Sequence, residues 1–184
     1  MRILSIDLSL HAGWALLEDD KVLDYGLQEG QSPTKLGSYP WSYLKAATSQ
    51  ARALKEIVDL HRPEVVLIEE VNKGRNRHSQ KLLDGLHFAL LQELEWRYDV
   101  KYVDTSAWRK TLSLKLTKEQ RAANKLSKAK KKTLGIKGKV TPKHLAIAFC
   151  SEYLGKSFKV KDNDICDAIA LGIAFVRGCP VSTP

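Results

Sequence analysis

Val65-Val66-Leu67-Ile68 is an unbroken apolar run closed by Glu69, and it constrains the fold more than any other stretch of this chain. Four apolar side chains in succession leave no polar face, so a strand built from them is buried on both sides, in a sheet with helices packed on each face. The flanking sequence supplies those helices. Upstream, Ser42 to His61 carries Leu44, Ala47, Ala51, Leu54 and Val58 at three- and four-residue steps, a stripe ended by Arg62-Pro63. Downstream, Ser79 to Trp96 carries Leu83, Leu86, Leu90 and Leu94 on one face, with Leu82, Phe88 and Leu91 off it. That surplus of apolar surface predicts a partner chain on this helix.

Arg2 to Leu8 reads as a second buried strand, with Ile3, Leu4 and Ile6 apolar and Asp7 at its end. His11-Ala12-Gly13 reads as a turn, Trp14 to Leu17 as a strand, Asp19-Asp20 as a hairpin turn, and Val22 to Leu27 as a third strand. Gly30 to Pro40 is loop-like, and Val100 to Val103 is the last strand. Thr105 or Ser106 is expected to cap a short helix through Trp108 and Lys110. Thr141-Pro142 opens a helix running to about Leu154, and a final helix begins near Asp164, before a frayed tail from Gly178 to Pro184. Hairpin-length links make the first three strands antiparallel, and helical crossovers make the last two parallel. The expected class is α/β: a mixed five-stranded sheet flanked by helices, in one domain over residues 1–184.

The net charge is +9, and it is concentrated. Arg109 to Lys143 holds thirteen Lys or Arg against the single acid Glu119, leaving the remainder mildly acidic. This defines a basic insert at about residues 112–140. Within it Lys118, Arg121, Lys125, Lys128 and Lys132 recur at helical steps, with Ala122, Leu126 and Ala129 beside them and Gly135 and Gly138 closing the segment. Such a field attracts polyanions, and nucleic acid is the most abundant. Arg109 and the polar loop Asn72, Lys73, Arg75 and Arg77 add further candidate DNA contacts. Three cysteines without a C-x-x-C pair make neither a disulfide framework nor a zinc site, and Cys150 and Cys166 fall in apolar helical stretches as buried thiols. No apolar run approaches the roughly 18 residues of a membrane span, and no secretory pattern opens the chain. A reducing cytoplasm is the expected setting.

Four carboxylates recur at element ends: Asp7, Glu69, Asp164 and Asp167. Asp164 and Asp167 are three apart and share a helix face. Taken singly, Asp164 also suits a helix cap and Asp7 a turn; Asp162 rivals Asp164 but reads as a loop residue, and Glu70 alternates away from Glu69. Together the four repel one another and call for cations. Hard oxygen donors suit two Mg²⁺ ions, with Mn²⁺ able to substitute, at the roughly 3.5–4 Å spacing used in phosphodiester hydrolysis. No small-molecule cofactor is expected.

With these residues the chain resembles the RuvC-type Holliday-junction resolvases, including their phage branch, on the RNase H-like fold. I-D-L-S-L-H-A-G-W-A is similar to the family's opening I-D-x-G/S-x-x-x-G-x-x, L-I-E-E-V to its second motif, and N-D-I-C-D-A-I-A-L-G-I-A to its third, D-x-x-D-A-x-A-x-A-x-A. The resemblance implies that Asp7, Glu69, Asp164 and Asp167 are the metal ligands. It implies homodimers, joined through the 79–96 helix, that nick opposed strands of four-way DNA junctions. It also implies basic help at the phosphate, for which Lys110 in W-R-K-T and Lys143 in T-P-K-H match by position. Asn72 stands where the cellular enzymes carry an aromatic, and the insert is longer than theirs; both traits look like the phage branch, in a bacterial or phage-infected cell. The alternatives are an RNase H-like nuclease acting on flaps, single strands or RNA–DNA hybrids, and a non-catalytic branched-DNA-binding protein. A sugar-kinase or actin-like ATPase needs two such domains and phosphate loops, and does not fit.

Overall fold

A computed structural model describes residues 1–70, 77–127, 130, 133–134 and 138–182. Five strands form one sheet in the order β3-β2-β1-β4-β5. They are β1 (Arg2–Asp7), β2 (His11–Glu18), β3 (Lys21–Glu29), β4 (Val65–Glu69) and β5 (Asp99–Val103). The first three are antiparallel neighbours, while β4 and β5 lie parallel to β1. The expected mixed sheet is therefore the one observed. The helices are α1 (Trp41–His61), α2 (Arg77–Leu94), α3 (Thr105–Thr111), α4 (Lys118–Lys125), α5 (Pro142–Leu154) and α6 (Asn163–Val176).

Strand alternation divides the core in two. Leu4 and Ile6 of β1 and Val66 and Ile68 of β4 face one layer, packed on Ala47, Ala51, Leu54 and Val58 of α1 and Leu86, Leu90 and Leu94 of α2. Ile3, Val65 and Leu67 face the other, packed on α6, α5 and Trp108 of α3. The continuous apolar run of β4 is thus used on both faces. All three cysteines are buried free thiols. Among the described residues no helix is long and apolar enough to cross a membrane.

Close backbone approach holds α6 against the sheet. A β-carbon on Gly172 would meet Leu17 Cδ1 at 2.4 Å and Ser5 Oγ at 2.9 Å. Ser5, fully buried in β1, donates its hydroxyl to the Ala168 carbonyl of α6 at 2.7 Å. This polar rivet satisfies a group that burial alone would penalise.

Several local expectations are corrected. His11-Ala12-Gly13 is the start of β2, not a turn; the chain reverses at Ser9-Leu10, where Gly30 N–H donates to the Leu10 carbonyl at 2.6 Å. Leu44 is 53% exposed, because the buried line of α1 runs through Ala46, Ala47, Gln50 and Ala51 instead. Gln50 is buried there because its amide donates to the Gln28 carbonyl at 3.0 Å and the Ser9 carbonyl at 3.2 Å. Asp104, rather than Thr105 or Ser106, caps α3, accepting from the Ser106 and Ala107 amides at 2.7 and 3.1 Å. Leu83 lines a cleft instead of the core. The tail is not frayed as far as Ser182: Cys179 is buried, and Ser182 N–H donates to the Tyr102 carbonyl at 2.7 Å.

The basic stripe is also shorter than expected. Lys118, Arg121 and Lys125 share α4, which buries no residue, but the helix stops at Leu126 with extended φ −65° and ψ 144°. Ser127 follows, and its hydroxyl accepts from the Lys130 amide at 3.3 Å. Lys128, Ala129, Lys132 and Gly135 lie outside the described residues, as do Asn72, Lys73 and Arg75. Asn124 closes the base of the insert: its amide donates to the Val140 carbonyl at 2.6 Å, and the Val140 amide donates back at 3.1 Å.

Candidate active site

Sheet register brings the first two carboxylates together. Ile6 pairs with Ile68 across parallel β1 and β4, so Asp7 and Glu69 follow side by side at the same carboxyl edge. Both belong to the alternation set of Ile3 and Leu67 and therefore point to the α6 side. On the other flank of β1, Asp7 pairs with Gly13. A β-carbon on Gly13 would fall 1.9 Å from the Asp164 carbonyl oxygen and 2.6 Å from the Ile165 amide nitrogen. Only a glycine lets the first turn of α6 come down beside Asp7. Asp164 and Asp167, one helical turn apart, then complete the group.

The four carboxylates line one cleft of about 540 Å³ with Ser9, Glu70, His87, Thr105, Arg109 and Lys143. Glu70 also borders the cleft, and its carboxylate accepts from the Ser182 hydroxyl at 2.6 Å. Asp162 accepts from the Lys159 amide at 2.8 Å in the turn before α6.

Two carboxylates face cations. Arg109 reaches Asp167 at 3.4 Å, and Lys143, in the first turn of α5, reaches Asp164 at 3.5 Å. Lys110 does not line the cleft: Trp108 turns into the core, its neighbour Arg109 faces the acids, and Lys110 is carried to the exposed side of α3. Trp108 has a second role that sequence reasoning missed. Fully buried, it donates its indole N–H to Glu69 at 3.0 Å, and the Arg109 guanidinium lies 4.6 Å from its ring. The only sequence signal was a tryptophan followed by arginine in a short helix after a strand. His87 was also missed, although a histidine in the α2 apolar face is itself a signal. It shares a hydrogen bond with the Tyr102 hydroxyl at 3.3 Å, and burial pushes it down to about 4, so it is neutral at neutral pH.

The electrostatics reflect burial first and crowding of negative charge second. Burial, then the charge of Glu69, then that of Asp167 hold the Asp7 carboxyl well above the usual range. Burial pushes Asp167 up to about 7, against the opposing pull of Arg109. Among the described residues, Asp167 Oδ1, Arg109 Nε and His87 Nε2 are buried without a protein partner. Such groups are costly unless a ligand answers them.

This donor set fits hard divalent cations: it is all carboxylate, it repels itself, and it keeps a buried oxygen unpaired. Among the described residues no three His, Cys, Asp or Glu side chains are drawn together in ligand geometry, since Asp164 and Asp167 turn to Lys143 and Arg109. A basic rim beside an acidic floor is suited to placing a phosphate over the carboxylates.

No family model matches the sequence, and no curated protein matches it. Solved structures do match the fold. RuvC of Thermus thermophilus in complex with a Holliday junction substrate is 15% identical with a TM-score of 0.65, over 95% of this chain and 92% of that one. The yeast mitochondrial Holliday junction resolvase Ydc2 is 15% identical with a TM-score of 0.55, over 96% of this chain and 78% of that one. The fowlpox virus resolvase, in complex with Holliday junction DNA, is 15% identical with a TM-score of 0.50, over 96% and 97%. With the strand order and register above, these matches identify the fold as the RNase H-like fold of the RuvC resolvases.

Proposed function

We propose that this chain is a structure-selective endonuclease that resolves four-way and other branched DNA junctions by two-metal phosphodiester hydrolysis. The carrying observation is the convergence of Asp7, Glu69, Asp164 and Asp167 on one cleft, from three separate elements of a resolvase fold. Asp7, Glu69, Asp164 and Asp167 would hold two Mg²⁺ ions, and Mn²⁺ has the same ligand preference. Bound there, the ions supply an activated water and stabilise the leaving oxygen.

The chain's own groups do the rest. Lys143 and Arg109 stand at the carboxylates and orient a phosphate, and Trp108 fixes the Glu69 carboxylate. The exposed cations Lys118, Arg121 and Lys125 of α4 attract the DNA backbone, and Arg77, Lys73, Arg75, Lys128 and Lys132 are further candidates from the sequence. Lys110 belongs to this outer field rather than to the cleft. A homodimer through α2 fits Phe88, 72% exposed, and Leu91, 37% exposed, on that helix's outer side. Two sites in a symmetric pair suit two cuts on opposed strands. Asn72 at the aromatic's position and the long basic insert support the phage branch and a broad choice of branched substrates.

The test is a substrate panel: four-way junction, flap, RNA–DNA hybrid and plain duplex, at equal concentration with Mg²⁺. The junction is expected to be cut fastest. Preference for the hybrid or the flap contradicts the proposal and favours a different nuclease of the same fold. Tight junction binding without cutting, in Mg²⁺ and in Mn²⁺, favours a binding protein.

A further inference from the structure

One cleft plays no part in the chemistry above. It holds about 440 Å³ and lies between the loop before α1 and the first turns of α2, with Tyr39, Tyr43 and His78 among its walls. Its aromatic rings are grouped: Tyr39 and Tyr43 meet edge to face at 5.3 Å, and Tyr43 meets His78 at 6.5 Å. Tyr39 is 59% exposed and neighbouring Trp41 is 66% exposed. Two large aromatic rings this open to water, so close in the chain, give the core little in return.

Cations predominate in the flanking sequence, and the first acid along α2, Asp84, accepts from Gln80 at 2.8 Å. Between Glu29 and Glu56 the chain has no acidic residue but carries Lys35 and Lys45, and from Arg77 to Lys81 it is again free of acids. Lys81 Nζ lies 5.3 Å from the Tyr39 ring centre and 3.5 Å from its hydroxyl. Exposed aromatic faces set in a cationic rim match unpaired nucleotides, whose bases offer free π-faces and whose phosphates are anionic. Plain duplex does not match, because its bases already stack on one another.

Position supports the same occupant. His78, Ser79 and Leu82 line this aromatic cleft, and Leu83 and His87 line the acidic one. The two clefts therefore adjoin along α2, with Leu82 on one and Leu83 on the other.

We propose that Tyr39 and Trp41, with Lys81, form a stacking platform for unpaired bases next to the cleaved phosphate, giving a preference for distorted over regular DNA. The inference rests on the nuclease reading for its purpose but not for its binding chemistry. The test compares wild type with the Tyr39→Ala/Trp41→Ala double variant, and with Tyr39→Phe/Trp41→Phe. Each is titrated against a short oligo-dT strand, a plain duplex, and a four-way junction carrying 2-aminopurine at the crossover. The platform predicts that the Ala pair lowers oligo-dT and junction affinity about 5- to 100-fold and removes 2-aminopurine quenching, while duplex affinity stays within about 2-fold and the Phe pair keeps most binding. Circular dichroism and the melting temperature identify a variant that fails to fold, in which case single Tyr39→Leu and Trp41→Leu variants replace the pair. Unchanged oligo-dT and junction binding in a folded Ala variant overturns the platform, as does an equal loss on duplex. A wild type that binds oligo-dT through these rings but does not cut junctions keeps the platform and refutes the resolvase reading.

Discussion

The carbonyl oxygen of Asp164 occupies the place where a β-carbon on Gly13 would lie, 1.9 Å from it. Gly13 pairs with Asp7 across β1 and β2, so this contact sets how near the last helix comes to the first carboxylate. The clash would be with backbone, which cannot rotate aside. Gly13→Ala is therefore expected to cost about 1–3 kcal/mol in urea unfolding. It should also displace Asp164 and lower cleavage by more than that stability loss explains. Wild-type stability in the variant would show that the approach is looser than described.

Trp108 predicts a separable effect on Glu69. Trp108→Phe keeps a buried aromatic ring but removes the indole N–H that holds the carboxylate. Groups that orient a metal ligand in this way are typically worth about 10- to 100-fold in metal affinity. The expected result is a higher Mg²⁺ concentration for half-maximal cleavage, and weaker Mn²⁺ binding by calorimetry, with junction affinity in Ca²⁺ unchanged. An unaltered Mg²⁺ dependence would leave Trp108 as core packing alone.

Asp167 gives a pH dependence of known sign. Its carboxyl sits at about 7 in the fold against 3.8 ordinarily, so the folded state binds the extra proton. The favourable contribution is complete below about pH 4 and is lost as pH rises through about 7. Asp167→Asn imitates the protonated form and should be more stable than wild type at pH 8 in EDTA, by about 2–4 kcal/mol. The difference should vanish near pH 4 and shrink when Mg²⁺ is added to wild type. Equal stability at pH 8 would contradict the burial of this carboxylate beside its acidic neighbours.

The α4 cations predict a change in salt response. Replacing Lys118, Arg121 and Lys125 together with Gln removes three charges from a helix that buries no residue, so folding should be unaffected. Junction affinity should weaken, and the slope of log K against log salt should fall by about 0.9 for each phosphate that is no longer neutralised. An unchanged slope would mean that α4 faces away from the DNA.

Much of this was legible in the sequence, for a physical reason. Strands buried on both faces must be apolar to their ends, so Asp7 and Glu69 stood out as the first charges after such runs. Hairpin and crossover lengths fixed strand direction. Contacts between distant segments were not legible. Gly13 looked like a turn residue because its constraint comes from Asp164, late in the chain. Arg109 and Lys110 are adjacent cations, and which one meets the acids depends on how α3 rolls to bury Trp108. The five-cation stripe followed helical steps faithfully, yet the helix ended at Lys125, where Leu126 turns extended. Tyr39 and Trp41 fell in a segment with no regular periodicity, so nothing local marked their exposure.

The most direct test of the central claim is to incubate the protein with an end-labelled four-way DNA junction, with and without Mg²⁺, and to resolve the products on a denaturing gel beside Asp7→Asn. A carboxylate-held metal site predicts paired nicks at opposed positions that require both Mg²⁺ and Asp7, with junction binding retained in Asp7→Asn. A junction that stays intact under Mg²⁺ and Mn²⁺, or nicks that persist in Asp7→Asn, would contradict it.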